Sequence, residues 1–264
     1  MSDVTNRMFR SGKRASFLFN LALPVAAACA ILLAWELCVA LMEVPPYILA
    51  PPSVIGERIV SDFRSGEVIP HLTTTLTEVV TGIVIAAILG LTLGTMIGIF
   101  PIIDKMLYPI ILVIQTIPKV AVAPLMIIWF GYGMSSKIVT AALLAFFPVL
   151  VNVVVGIKTV DPRRITLMRM LCATPLQTYF KVRLPNMLTY LFAGLEVGVV
   201  LALIGAIVGE FVGASVGLGS LIIQRQALVD VAGVFSILAY LSVTGLLLTL
   251  AVKAIGRRVI FWNN

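Results

Sequence analysis

Long runs without a charged side chain dominate this chain. Residues 15–35, 79–103, 138–157 and 231–252 contain no Asp, Glu, Lys or Arg, and the first run stays apolar past Glu36 to about Met42. Two more runs, 106–136 and 184–209, are each interrupted by one charge, Lys119 and Glu196. A helix crossing a hydrocarbon core needs about 20 such residues, so the pattern predicts about six transmembrane helices. The segments between them read as loops. Residues 43–71 carry Val44-Pro45-Pro46 and Ala50-Pro51-Pro52-Ser53, where Ser53 is placed to N-cap a short surface helix reaching about Phe63. Segment 158–185 is long, basic and helix-permissive between Pro162 and Pro185, with a break expected at Pro175. Gly213 to Gly219 predict a turn, since glycine reaches positive φ at low cost. Inside the spans, Gly90, Gly94 and Gly98 share one helical face, as do Gly194 with Gly198 and Gly205 with Gly209 and Gly213. Such faces let backbones approach closely in lipid, within one chain or between two.

Composition sharpens this reading. Of 264 residues, 60% are hydrophobic and only 12% charged, against about 25% charged in soluble domains. There are too few charges to coat the chain in water, which excludes soluble enzymes, transcription factors and secreted disulfide scaffolds. The net charge of +7 is read as a topology signal rather than as nucleic-acid binding, because cytoplasmic loops collect Lys and Arg. With the N-terminus inside and about six helices alternating, only Arg58, Arg64, Lys137 and Arg225 fall outside, and Lys119 lies in the membrane. Both termini are then cytoplasmic. Arg7, Arg10, Lys13 and Arg14 before an apolar run, with Ala28-Cys29-Ala30 beyond, have the outline of a signal peptide. The run exceeds the roughly 7–15 residues of a signal h-region, so it is read as a first helix.

Little points to covalent chemistry. Cys29, Cys38 and Cys172 form no C-x-x-C pair, and the single histidine, His71, builds no multi-histidine metal site. There is no phosphate-binding G-x-x-x-x-G-K-[ST] loop; Gly12-Lys13 is followed by Arg14. Gly213-Ala214-Ser215-Val216-Gly217 fits G-x-S-x-G, but a nucleophile elbow needs a strand-turn-helix setting and a histidine base. A glycine loop accounts for the string. The charges near or within the spans, Lys119, Glu196 and Glu210, carry more information, because intramembrane ionisable groups face a bundle interior or a cavity. Counted from Lys105 and Arg183, Lys119 and Glu196 both lie roughly 20 Å deep along a helix, which predicts that they face inward, where two opposite charges are able to pair within one chain or across a dimer or to act singly. With Gln115 and Thr116 and with Glu210 they make up the expected translocation pathway.

One series of strings is specific. Gly156-Ile-Lys-Thr-Val-Asp-Pro162, then about twenty residues, then Val182-Arg183-Leu184-Pro185 resembles the cytoplasmic loop of binding-protein-dependent ABC importer permeases. Trp35-Glu36, Leu49-Ala50-Pro51-Pro52-Ser53, and Gln115-Thr116-Ile117-Pro118 leading to Ile128-Trp129-Phe130-Gly131-Tyr132-Gly133 resemble the nitrate/sulfonate/taurine branch. Ala145-Phe146-Phe147-Pro148, Phe192-Ala193-Gly194-Leu195, Gly209-Glu210-Phe211 and Gly217-Leu218-Gly219 continue the series in the family's order. The chain also departs from it. The family's loop glutamate falls at Thr166, its two alanines at Leu167 and Met168 and its glycine at Cys172, and Glu196 stands where the branch often has a basic residue.

The resemblance implies an all-α polytopic bundle of the type I importer permease fold, a single transmembrane domain over 1–264. Its core is expected over about 72–258, an extra N-terminal helix over about 15–42 and a coupling loop over about 160–183. It implies a multi-pass subunit of the bacterial inner membrane, paired with a second permease chain. Two cytoplasmic ATPase subunits and an extracytoplasmic binding protein are the expected partners, with ATP and magnesium on the ATPase and no cofactor in this chain. Arg163, Arg164, Thr166, Arg169, Cys172, Ala173 and Pro175 are the expected coupling residues. The cargo is expected to be a small anionic or aromatic organic solute. The competing class is an ATPase-independent secondary transporter or channel, whose signs are repeated half-structures or several buried acidic residues.

Overall fold

The computed structural model describes residues 23–263 and is helical throughout these, with no strand among them. The cations Arg7, Arg10, Lys13 and Arg14 and the first part of the expected N-terminal helix lie outside the described residues. Helix α1 spans Leu23–Leu41. After it come α2 (Pro52–Ser65), α3 (Val68–Ile99), α4 (Pro101–Thr116), α5 (Ala123–Phe130), α6 (Met134–Lys158), α7 (Pro162–Met170), α8 (Pro175–Thr178), α9 (Leu184–Gly213), α10 (Leu218–Ala227) and α11 (Val231–Val259). Five helical stretches are long and apolar enough to cross a membrane, and the broken pair α4–α5 supplies a sixth.

Helix α6 is the centre of the bundle, held between α3 and α9, and the glycine faces explain how. A methyl group at Gly82 on α3 would stand 2.7 Å from Ala141 Cβ, and one at Gly205 on α9 2.8 Å from Ala141 Cα. Ala141 is therefore gripped from both sides. Val149 is treated likewise: a methyl at Gly90 would meet it at 2.7 Å and one at Gly194 at 3.1 Å. Both small-residue stripes are thus spent on close contacts inside the chain. Dispersion and close backbone approach, rather than expulsion of water, hold such helices together in lipid.

The third predicted span is not one helix. Its two parts meet at 86°, where the sequence alone suggests a kink beside Lys119. Pro118 forces the residue before it out of the helical region, and Ile117 is extended, with φ −67° and ψ 129°. A 3₁₀ turn over Lys119–Val122 then leads into α5. Helix α4 contributes no buried residue to the bundle. Its half-buried Ile103, Tyr108 and Ile111 pack against a cluster of Ile97, Leu150 and Val154, and Asp104 pairs with Lys158 of α6 at 2.6 Å, the same ammonium lying 5.1 Å from the centre of the Tyr108 ring.

Helix α1 is held lightly, by an edge-on contact of Trp35 with Phe235 and by Glu36. Here Ser53 behaves differently from expectation. Helix α2 begins at Pro52 with no side-chain cap, and the Ser53 hydroxyl and amide donate to the Glu36 carboxylate at 2.7 and 3.1 Å. A proline at the first helical position has no N–H to cap, which frees the serine for α1.

Candidate functional site

Two polar clusters occupy the end of the bundle that carries α2 and α10. In the first, Asp62 of α2 is 1% exposed and Arg225 of α10 is 3% exposed. The guanidinium donates to both Asp62 oxygens, at 2.7 and 2.8 Å, while Ser236 of α11 donates its hydroxyl to Asp62. Arg58 reaches Asp62 at 3.5 Å and Asp230 at 2.9 Å, and Asp230 in turn accepts from Gly233 N at 2.8 Å to cap α11. Burial opposes ionisation of Asp62. The hydrogen bonds from Arg225 and Ser236 and the charges of Arg225 and Arg58 outweigh it and hold the carboxyl below its usual range. The fork of arginine matching two carboxylate oxygens is the geometry in which a buried pair is worth keeping.

The second cluster secures the glycine turn after α9. Glu210, 1% exposed, accepts from the Thr75 hydroxyl of α3 at 2.6 Å and from the Gly219 amide at the start of α10. Thr75 Oγ also accepts from Leu218 N at 2.8 Å, and His71 Nδ1 lies 2.8 Å from Gly217 O and 3.1 Å from Gly217 N. Gly217 has φ +137°, and a Cβ there would come 2.3 Å from Glu210 Cδ. The turn predicted at 213–219 is real but shorter, because α9 includes Gly213 and α10 already contains Gly219. His71 addresses the backbone of Gly217, not Ser215, so the G-x-S-x-G string serves a loop. Glu78, buried one turn beyond Thr75, sets its carboxyl against that of Glu210. Lys137, also buried, caps the end of α9 by donating to the carbonyl of Gly213 at 3.3 Å, and to those of Tyr132 and Gly133.

The sequence alone singles out none of Asp62, Thr75, Glu78 and Ser236, and gives Arg225 and Lys137 only as outer-loop cations. Glu78 stood at the edge of an uncharged run and was counted as its boundary. A usable signal existed in length, since α3 has 32 residues where about 20 suffice to cross. Flanking charges of so long a helix lie within the bundle.

The expected pathway residues do not form one group. Lys119 and Glu196 do not meet within this chain. After the break at Pro118, Lys119 folds back so that its ammonium donates to Gln115 O at 3.1 Å and stands 4.8 Å from the centre of the Phe147 ring. Glu196 faces Lys253 of α11 at 3.4 Å. Glu196 is the thirteenth residue of the 30-residue α9, near its middle. Lys253, just past the uncharged run 231–252, marks the level of Glu196. Thr116 donates to Val113 O at 2.7 Å, and the side-chain nitrogen of Gln115 is buried without a partner.

At the opposite end, α7 and α8 form a bent pair. Asp161 caps α7 by accepting from Arg163 N at 2.9 Å, Thr166 donates to Pro162 O at 3.0 Å, and Thr174 with Gln177 makes a capping box for α8. The interruption expected at Pro175 is present: the helix breaks over Leu171–Thr174, with Ala173 half-buried, and Pro175 opens α8. Cys172 there has φ +53°. A non-glycine residue in this region costs about 1–2 kcal/mol, and Cys172 is exposed, so it has little packing to lose. Cys172→Gly is expected to stabilise the loop by about 1 kcal/mol, read as a higher midpoint of thermal unfolding; an unchanged or lower midpoint contradicts the strain.

Arg163, Arg164 and Arg169 are exposed alongside Leu167, Met170, Leu171, Leu176 and Phe180. Among the described residues no cluster of three or more His, Cys, Asp or Glu could hold a metal ion.

Comparison with known proteins accounts for this architecture. Residues 82–261 match the family described as the binding-protein-dependent transport system inner membrane component. The chain is 36% identical over 243 residues to the riboflavin transport system permease protein of Chloroflexus aurantiacus, covering 92% of this chain and 90% of that protein. It is 33% identical to the formylaminopyrimidine transport permease protein of Halalkalibacterium halodurans (87% of this chain, 91% of that one). To the taurine transport system permease protein of Escherichia coli it is 28% identical (92% and 90%). The bundle built around α6, the secured glycine turn and the bent α7–α8 pair therefore belong to a member of the binding-protein-dependent ABC importer permeases, in the nitrate/sulfonate/taurine branch: a multi-pass inner-membrane subunit rather than an enzyme.

Proposed function

We propose that this chain, with a second permease chain, forms the pathway for a small anionic or aromatic organic solute. A binding protein delivers the solute and ATP hydrolysis on two separate cytoplasmic subunits drives it. The α7–α8 end faces the cytoplasm in this reading, which puts both termini there. The observation that carries it is the surface of the segment 162–183: Leu167, Met170, Leu171, Leu176 and Phe180 are exposed on it together with Arg163, Arg164 and Arg169. Large apolar side chains exposed among cations mark a protein interface, and these sit on the short segment joining α6 to α9. Movement of the ATPase is thus delivered to the most tightly held pair of helices.

The break in α4–α5 supports the second permease chain. Unsatisfied backbone at membrane depth is tolerated only where it is buried in protein or lines a cavity. Ile117 and Pro118 lie at that break, and Gln115, Thr116 and Lys119 beside it are the groups we assign to the pathway. The cargo class follows the riboflavin, formylaminopyrimidine and taurine named for the relatives; selectivity among such solutes belongs to the binding protein.

Reversal of Arg164 and Arg169 to Glu tests the coupling surface. ATP hydrolysis should continue while transport by the reconstituted complex falls at least tenfold, with the thermal midpoint unchanged. Normal transport by that variant overturns the assignment, and ion-driven transport by this chain without an ATPase overturns the whole reading.

A further inference from the structure

Beyond transport, a basic cleft lies at the α7–α8 end of the bundle, sharing only Arg164 with the expected coupling residues and only Glu196 with the expected pathway. Between α9 and α11 lies a cavity of about 290 Å³ whose charged lining is Glu196, Lys253 and Arg257. It shares Thr189 with a second cavity of about 310 Å³, lined by Arg164, Lys181, Asn186 and Trp262. Taken together as one groove, these adjoining cavities offer four cations against one carboxylate, and Lys253 already pairs with that carboxylate. Arg257, Lys181 and Arg164 face the groove with no ion-pair partner among the described residues.

Level and shape narrow the occupant. Lys253 directly follows the uncharged run 231–252, and Trp262 lies just beyond the end of α11. A cation at the end of a span followed by tryptophan marks the boundary between hydrocarbon and headgroups. Positions 243, 246, 250, 253 and 257 recur at helical spacing on one face of α11. Val243, Leu246 and Leu250 are 55%, 59% and 50% exposed. An apolar track thus rises from the cations into the bilayer. A soluble anion would use only the lower part of this surface, whereas a molecule with a negative head and hydrocarbon tails uses all of it.

We propose that this groove binds an anionic glycerophospholipid of the cytoplasmic leaflet, its phosphate held among Arg257, Lys253 and Lys181 and its acyl chains lying along Val243, Leu246 and Leu250. The leaflet assignment rests on the orientation proposed above; the lipid chemistry does not.

The test uses the complete importer, with its ATPase subunits, delipidated in detergent and examined by native mass spectrometry. The probes are dioleoyl phosphatidylglycerol, dioleoyl phosphatidylcholine and inorganic phosphate. Phosphatidylglycerol should be retained preferentially, and Arg257→Gln with Lys181→Gln should weaken its retention about thirtyfold, the expected effect of two cations beside an anionic headgroup. A second variant, Glu196→Gln with Lys253→Gln, removes the ion pair as a unit, leaves no uncompensated charge and should also weaken retention. Equal retention of the two lipids, an undiminished signal in both variants, or phosphate binding as well as the lipid overturns the site. Loss of the ATPase subunits from the Arg257/Lys181 variant assigns the cations to a protein interface and overturns it too. Wild-type transport in phosphatidylcholine nanodiscs checks the transport reading separately, so that the two failures are told apart.

Discussion

Replacing Arg225 with methionine is expected to destabilise the protein by about 3–5 kcal/mol, the cost of leaving one member of a buried ion pair without the other. Asp62 is 1% exposed and would keep only Ser236 and the more distant Arg58 as partners. Helix α2 would then lose its main attachment to α10, although Tyr240 still donates to Ile59 O at 2.7 Å. The double variant Arg225→Met with Asp62→Leu should recover most of the loss, since no charge then remains buried. The sign of the pH dependence follows from the depressed carboxyl of Asp62. Its contribution is fully present above the ordinary aspartate value of 3.8 and is lost as pH falls through its lower value in the folded protein. Thermal unfolding followed from pH 7 downward should therefore show an acid limb that Asp62→Asn removes. A single Arg225→Met variant as stable as the parent contradicts the network.

A comparable loss is expected from Gly217→Ala. The backbone at φ +137° is open to glycine almost alone, and the added methyl would lie 2.3 Å from Glu210 Cδ. Strain and overpacking together predict about 2–6 kcal/mol, with transport abolished because α10 loses its seat on α3 and α9. Glu210→Gln separates shape from charge. Its amide oxygen can accept from Gly219 and its nitrogen can donate to Thr75 Oγ, so the thermal midpoint should shift little. Glu210→Ala leaves the Gly219 amide and the Thr75 hydroxyl unsatisfied, at about 1–3 kcal/mol for each buried group. If Gln and Ala prove equally costly, the hydrogen bonds are not what secures the turn. If Glu210→Gln keeps its stability but loses transport, the charge itself has a role in the pathway.

Much of the architecture was legible along the chain. The uncharged runs located α3, α6 and α11, the run interrupted only by Glu196 located α9, and the segment 158–185 announced a bent helical pair. The family strings identified the class of protein. Local chemistry was less reliable. Ser53 was the natural cap for α2, but Pro52 takes the first helical position and the serine turns to Glu36. The interruption expected at Pro175 is there, over Leu171–Thr174, with Pro175 itself opening α8. The residue that turns the chain is Cys172, where the family's pattern has glycine.

Hydropathy and spacing determined which segments enter the membrane, because each depends only on neighbours within one helix. The glycine stripes likewise showed that some helix is approached closely. That the partner is α6 on both sides was settled by tertiary structure, as Ala141 and Val149 are gripped by α3 and α9 together. The same holds for every charge that matters. Asp62 and Arg225 are 163 positions apart, and Thr75 and Glu210 are 135 apart. Lys119 and Glu196 carry opposite charges that spacing alone would pair, yet within this chain Lys119 takes the Gln115 carbonyl and Glu196 the Lys253 ammonium. An ionisable group buried in lipid or protein must find a counter-charge or a hydrogen bond wherever the fold offers one. Distance along the chain has no bearing on that choice, so only the packing of the helices decides it.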